Sequence, residues 1–260
     1  MTPTFMVAIG SFAHPSAIRL QARTIRATCG DETIILVSDD HSETGFDISK
    51  GTDAAHGASL KARLLNICRD ENLIYRDTDY DRIGHAGGDL GAFFHGLTYA
   101  KKHGIDFVCK LSQRMLIDVP NWLLETCQTL NRYDMHLATN VCYYGDKPYF
   151  ALRTECMVMR TSAWATGEVL EELHPRVLRM AAEEVIVGVW HKIANGKPFL
   201  EASFLGQDRL TRHPGIAWKD AMPKAETDAD YARIAEKHGI TMGDDFNTNH
   251  SLLIHGHRWG

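Results

Sequence analysis

Short apolar runs alternate with stretches of helical periodicity through the first half of the chain, the pattern of a parallel sheet covered by helices. Residues 5–10 (FMVAIG) read as a first strand. Pro15 then opens a helix in which Ile18, Ala22, Ile25 and Cys29 share one face, with Gly30 as its stop. Residues 32–38 make a second strand, a Gly- and Asp-rich loop follows, and Leu60, Leu64, Ile67 and Cys68 mark the core-facing side of the next helix. A short third strand is expected at 72–75. The segment 84–104 begins with glycines and then sets Leu90, Phe93, Phe94, Leu97 and Ala100 along a helical stripe, with Asp89 placed to cap it. Residues 105–111 follow as a strand and 120–130 as a helix facing inward through Leu123, Cys127 and Leu130.

Beyond residue 135 the alternation loosens. Strand-like runs at 135–144 and 149–160 flank Gly145-Asp146, a turn signal. Residues 176–194 read as helical, 206–223 as irregular, and 226–238 as a helix stopped by Gly239, with an extended tail. No repeat, low-complexity segment or convincing linker divides the chain, so a single domain spanning residues 1–260 is expected. Its class is α/β: a mostly parallel Rossmann-type sheet flanked by helices, with a mixed C-terminal region.

Composition narrows the function. A formal charge of -5, with 28 basic and 33 acidic residues scattered along the chain, gives no electrostatic footprint for nucleic acid. Cys29, Cys68, Cys109, Cys127, Cys142 and Cys156 show neither metal-knuckle spacing nor disulfide-scaffold density, and read as reduced, mostly buried thiols. The N-terminus MTPTFMVAIGSF lacks the pattern of a signal peptide, and no run approaches a transmembrane span. A cytoplasmic protein that binds a small ligand or sugar is the expectation.

The second strand discharges two adjacent carboxylates, Asp39 and Asp40, into the loop that continues His41-Ser42. Strand carboxyl ends form the ligand crevice of open α/β sheets, and a carboxylate there accepts hydrogen bonds from a base N–H or a ribose hydroxyl. The alternative is a surface turn, for which Asp and Ser are common formers.

Taken in order, the strand ending Ala8-Ile9-Gly10-Ser11-Phe12, the strand ending Asp39-Asp40-His41-Ser42, the Gly-rich helix start and the strand at 105–111 resemble a GT-A-fold glycosyltransferase. The likeness covers residues 5–125 and, more loosely, the region to 200. The second strand end looks like that family's "DDGS" or "DDNS" element. The resemblance divides the chain into a nucleotide-binding half, 1–130, and a half comprising the acceptor region and tail, 131–260. It implies that Gly10, Ser11 and Phe12 meet the nucleotide, Phe12 by stacking or else as a core aromatic, and that Asp40 meets uracil or ribose, with Asp39 beside it. Arg82, Gly87 and Gly88 fall where the family holds the nucleotide-sugar, and helix-start amides there could face a diphosphate.

One element departs from the family. Its usual acidic DxD triplet, which holds Mn²⁺ or Mg²⁺, is matched by Ser112, Gln113 and Arg114 in the run Cys109-Lys110-Leu111-Ser112-Gln113-Arg114. Hard cations want carboxylate oxygens, and this triplet has none. Three readings stay open. Lys110 or Arg114, helped by His257 and Arg258, could neutralise the diphosphate directly. A divalent cation could instead sit with Asp39, Asp118 and His255. Or nucleotide binding could persist without catalysis.

An acidic pair at the start of a late helix commonly supplies the family's general base, and Glu183-Glu184 resembles it. Thr154 and Glu155 are the candidates for acceptor binding. The reading reached is transfer of a sugar from a nucleotide-sugar, UDP-sugar by preference, to a hydroxyl acceptor, with no organic cofactor. The rivals are an inactive nucleotide-binding protein on the same scaffold and another doubly wound enzyme, the latter opposed by the missing glycine fingerprint of a dinucleotide site.

Overall fold

The structure, a computed structural model, describes residues 2–12, 14–42, 54–78, 85–113, 115–143, 150–175, 181–201, 216–217 and 232–241. The apolar runs form the strands β1 (Phe5–Ser11), β2 (Ile34–Asp39), β3 (Ile74–Asp77) and β4 (Phe107–Ser112). The intervening periodic segments form α1 (Pro15–Cys29), α2 (Ala54–Asp70) and α3 (His85–His103). Gly30 ends α1 with φ of 103°, a conformation that a side chain would resist. The expected third strand lies two residues later than its sequence signal, because Asn72 adopts a left-handed φ of 49° in the turn before it.

The second half adds β5 (Leu116–Ile117), α4 (Trp122–Arg132), β6 (Leu137–Tyr143) and β7 (Phe150–Arg160). After these come α5 (Thr161–Trp164), α6 (Gly167–Leu173), α7 (Ala182–Ile193), β8 (Leu200–Glu201) and β9 (Ile216–Ala217), and residues 232–237 are also helical. The expected turn at Gly145-Asp146 lies outside the described residues.

Seven strands form one sheet in the order β3-β2-β1-β4-β7-β6-β8. All neighbouring pairs are parallel except those of β7, which runs antiparallel to β4 and β6. This mostly parallel, helix-flanked sheet is the α/β architecture that the alternating pattern predicts. Strand β1 shows why its sequence is apolar throughout: Val7 and Ile9 pack with α1, α2 and α4, while Met6 and Ala8 pack with α3 and the later helices. Both sheet faces are thus covered.

Between β6 and β7 the register shifts: Thr139 pairs with Met157 but Val141 with Leu152, so two residues along β6 match five along β7. The excess falls at the end of β7 nearest the carboxyl end of β4. Bulged segments of this kind re-aim side chains and free backbone groups beside functional sites.

Candidate active site at the strand ends

The carboxyl ends of four parallel strands meet in register. Ser11 pairs with Asp39, Gly10 lies between Ser38 and Ser112, and Asp39 pairs with Asp77. Beyond the ladder, the Asp40 amide donates to the Ser11 carbonyl at 2.9 Å, which carries the pairing one residue further. His41 then turns the chain with φ of 58°.

The two acids of the pair play different parts. Asp39 is fully buried: its Oδ1 accepts from both the amide (3.3 Å) and hydroxyl of Ser42, and its Oδ2 accepts from the Tyr75 hydroxyl at 3.0 Å. It locks the turn after β2, and so fixes where Asp40 stands. Asp40 is buried against the first turns of α3.

That contact explains two glycines. A Cβ on Gly88 would lie 2.9 Å from Asp40 Oδ2, and one on Gly10 would lie 3.2 Å from the Gly88 carbonyl. At Gly10 strand β1 and helix α3 approach backbone to backbone, while the Asp40 side chain fills the space beside Gly88. Gly87 and Gly88 belong to the helix, which starts at His85 rather than after the glycines. The first turn of α3 is therefore set at the strand ends. Ser11 is buried too. By the alternation of β1 it faces the α1 side with Ile9, and its hydroxyl has no hydrogen-bond partner among the described residues.

Asp89, expected as a helix cap, lies inside α3, and its carboxylate meets the ammonium of Lys110 at 2.5 Å. Lys110 has no exposed surface. Its Nζ also donates to the Thr154 carbonyl at 2.7 Å and to the Ser112 hydroxyl at 3.2 Å, 5.3 Å above the Phe93 ring. Thr154 lies in the register shift of β7, which leaves its carbonyl for Lys110, and its hydroxyl donates to Asp89 at 3.2 Å. Lys110 and Thr154, expected at diphosphate and acceptor, meet Asp89 in a buried cluster that extends to Ser112 at the end of β4.

The turn after β4 is held from two directions. Gln21 of α1, buried among apolar neighbours, donates its amide to the carbonyls of Ser112 (2.8 Å) and Met115 (2.7 Å). Gln113 bonds Phe12 twice: Phe12 N–H donates to Oε1 at 2.8 Å, and Nε2 donates to the Phe12 carbonyl at 3.0 Å. Sequence reasoning passed over Gln21, although a glutamine beside Ile18, Ala22 and Ile25 on a core-facing helix was the available signal. It placed Gln113 only as a missing acid.

Asp118 is buried and both its oxygens accept from Lys237, at 2.7 and 2.6 Å, which ties the helical residues 232–237 to the domain. In the first turn of α7, Glu183 is half-buried and Glu184 exposed, and neither forms a hydrogen bond with the strand-end cluster among the described residues. Glu155 is half-buried at the site end of β7, next to Cys156, which pairs with Leu111. Arg82, Arg114, His255, His257 and Arg258 lie outside the described residues.

These placements bear on a divalent cation. Of its expected ligands, Asp39 is enclosed with both oxygens bonded and Asp118 is committed to Lys237. Asp89 is committed to Lys110 and Thr154, and the triplet after β4 supplies a hydroxyl and an amide that are themselves engaged. Among the described residues no group of three His, Cys, Asp or Glu stands close enough to hold a metal ion. The described donors do not fit a hard cation.

No family model matches the chain, and no curated protein matches it in sequence. In structure it is similar to the glycosyltransferase GlyE of Streptococcus pneumoniae TIGR4, at 10% identity over 92% of this chain and 50% of that one, with a TM-score of 0.45. It is also similar to the mannosyltransferase PcManGT of Pyrobaculum calidifontis, solved with GDP-Man and Mn²⁺, at 15% identity over 77% of this chain and 54% of that one, TM-score 0.45. A cytidylyltransferase of Leptospira borgpetersenii is similar at 13% identity over 92% and 95% of the two chains, TM-score 0.43. The chain spans about half the length of the two glycosyltransferases. Among the described residues no helix is long and apolar enough to cross a membrane.

Proposed function

We propose that the strand-end crevice binds a nucleotide-sugar, a UDP-sugar by the groups present, and that the chain transfers the sugar to a hydroxyl acceptor. The observation that carries this reading is the convergence of Gly10, Asp40 and Gly88, where the ends of β1 and β2 meet the first turns of α3. A carboxylate held there accepts from the uracil imide N–H or a ribose hydroxyl, and the half-buried Phe12 offers a ring face to the base. In this reading the N-terminal end of α3, the positive end of its dipole, favours the diphosphate.

In this reading the charge that develops on the departing diphosphate is met by cations rather than through a metal. Arg114 carries that role, with Arg82, His257 and Arg258 as its companions. Lys110 acts behind them by fixing Ser112. Glu183 or Glu184 takes the proton of the acceptor hydroxyl as the general base, and Glu155 orients the acceptor.

Calorimetric titration with UDP, GDP and their sugars, with Mn²⁺ or with chelator, tests the donor site. UDP should bind, and chelator should leave that binding in place. Binding of GDP, a dinucleotide or S-adenosylmethionine in preference to any uridine nucleotide would sink the reading. UDP binding without transfer or hydrolysis of any UDP-sugar would replace the enzyme with a nucleotide-binding protein.

A further inference from the structure

Gln113 stands where the resemblance places an acid, and its amide grips the backbone of Phe12 in both directions, at 2.8 and 3.0 Å, across 101 residues of sequence. The β1–β4 ladder ends at Gly10 and Ser112, so this pairing continues the two strands past their last backbone bond. The grip has support of its own: Gln21 holds the carbonyls of Ser112 and Met115, and the Met115 amide closes the turn onto Ser112 at 2.9 Å. Helix α1, the turn after β4 and the loop after β1 thus form one connected unit with Phe12 at its outer end.

Such a contact asks for one donor and one acceptor at a fixed separation, which the glutamine amide supplies. A glutamate of the same length, when ionised, would accept from the Phe12 amide but set a second acceptor against the Phe12 carbonyl. Phe12 and Gln113 are both half-buried, so the clamp lies at the strand ends, at the margin of the core. A ring whose backbone is held before the ligand arrives needs no ordering on binding, and this raises affinity.

We infer that Gln113 is a positioning residue for the nucleoside: it holds Phe12 so that the ring meets the base. This rests on the nucleotide reading above and deepens it, by giving the altered triplet a task at the base in place of a metal.

The test is Gln113→Glu, with binding of uridine, UDP and inorganic pyrophosphate measured across pH. Near pH 7.5 the variant should bind uridine and UDP about tenfold more weakly than the unaltered protein, as expected for a lost hydrogen bond facing a repulsive pair. Pyrophosphate binding should not change. As pH falls through the ordinary glutamate value of about 4.3, the protonated carboxyl supplies an O–H donor to the Phe12 carbonyl, and the uridine deficit should close. Gln113→Met, of similar length with neither donor nor acceptor, should keep its deficit at every pH.

Unchanged uridine affinity in Gln113→Glu, a deficit independent of pH, or an equal loss of pyrophosphate binding would each overturn the inference while leaving the nucleotide reading intact. An unaltered protein that binds neither uridine nor UDP defeats the reading itself, before any variant is made. Should Gln113→Glu fail to fold, hydrogen exchange at the Phe12 amide of the unaltered protein replaces it. Uridine should slow that exchange, and no slowing would overturn the inference.

Discussion

The side chain of Asp40 occupies the space where a methyl group on Gly88 would stand, with Asp40 Oδ2 2.9 Å and Asp40 Cβ 3.0 Å from that point. A carboxylate after β2 and a glycine near the start of α3 are thereby made into a single feature. The helix can approach the strand ends only because Gly88 has no side chain, and the approach brings the helix start and the Asp40 carboxylate to one place.

Gly88→Ala should therefore act on binding more than on folding. Alanine favours the helix by about 1 kcal/mol, which offsets part of an overpacking cost of about 1–3 kcal/mol. The atoms that must yield belong to Asp40. Calorimetry should show weaker uridine nucleotide binding with a small change in urea midpoint. Gly96→Ala makes the contrast, since its Cβ would lie 2.6 Å from the Ala8 Cβ inside the sheet core. It should lower the urea midpoint much more than Gly88→Ala does.

Lys110→Met should destabilise the fold by about 3–5 kcal/mol, because it strands the Asp89 carboxylate beside a sheet core with no cation. The pair is enclosed, with side-chain exposures of 0% and 9%, so solvent screening does not rescue the lost partner. Adding Asp89→Leu should recover most of the loss, since an apolar pair of similar size is often as stable as a buried ion pair. Urea denaturation of both single variants and the double variant measures the coupling. A single variant that costs nothing would show the pair to be exchangeable with solvent.

Stability should fall in mild acid. Burial holds the His238 imidazole below its ordinary value, Asp118 opposes that shift, and Lys237 and Arg23 reinforce it. His136 is also held down, by burial and then by Lys197 and Arg160, against Asp134. Near the ordinary value of 6.5 the unfolded chain takes up protons that the folded chain does not, so stability is full above that pH. It is lost as pH falls through it, and levels off once the folded imidazoles are also protonated. The melting temperature at about pH 5.5 should lie below that at about pH 7.5, and His238→Gln should reduce the difference. An identical difference in the variant would remove His238 from the account.

The buried thiols should resist labelling in the native state. Burial raises the Cys68 thiol to about 12, with Asp39 adding to the effect, and it also raises the buried Cys109 and Cys127 and the half-buried Cys29. Since the thiolate is the reactive species, an alkylating agent near neutral pH should modify these positions only as the chain unfolds. Mass spectrometry after a short pulse checks this, with labelling in denaturant as the reference.

Much of the fold was legible in the sequence because its elements are strongly periodic. Strands β1, β2 and β4 and helices α1, α2 and α3 lie within a few residues of their signals, since central parallel strands must be apolar on both faces. The boundaries that moved did so for local reasons, such as the left-handed Asn72 before β3 and the glycines absorbed into α3. Helices α5 and α6 were not foreseen, being only 4 and 7 residues long, too short for a periodic stripe.

By itself the sequence determined that β2 would deliver two carboxylates to a strand end, that glycines would stand near the start of a helix beside them, and that no acid would occupy the triplet after β4. Only the tertiary structure decided what each residue does there, because a side chain's role depends on partners distant in the chain. Tyr75 and Ser42 draw Asp39 into the turn, Gly88 receives Asp40, Asp89 and Thr154 enclose Lys110, and Phe12 engages Gln113. These pairings join residues up to 101 positions apart, which no local pattern of polar and apolar residues encodes.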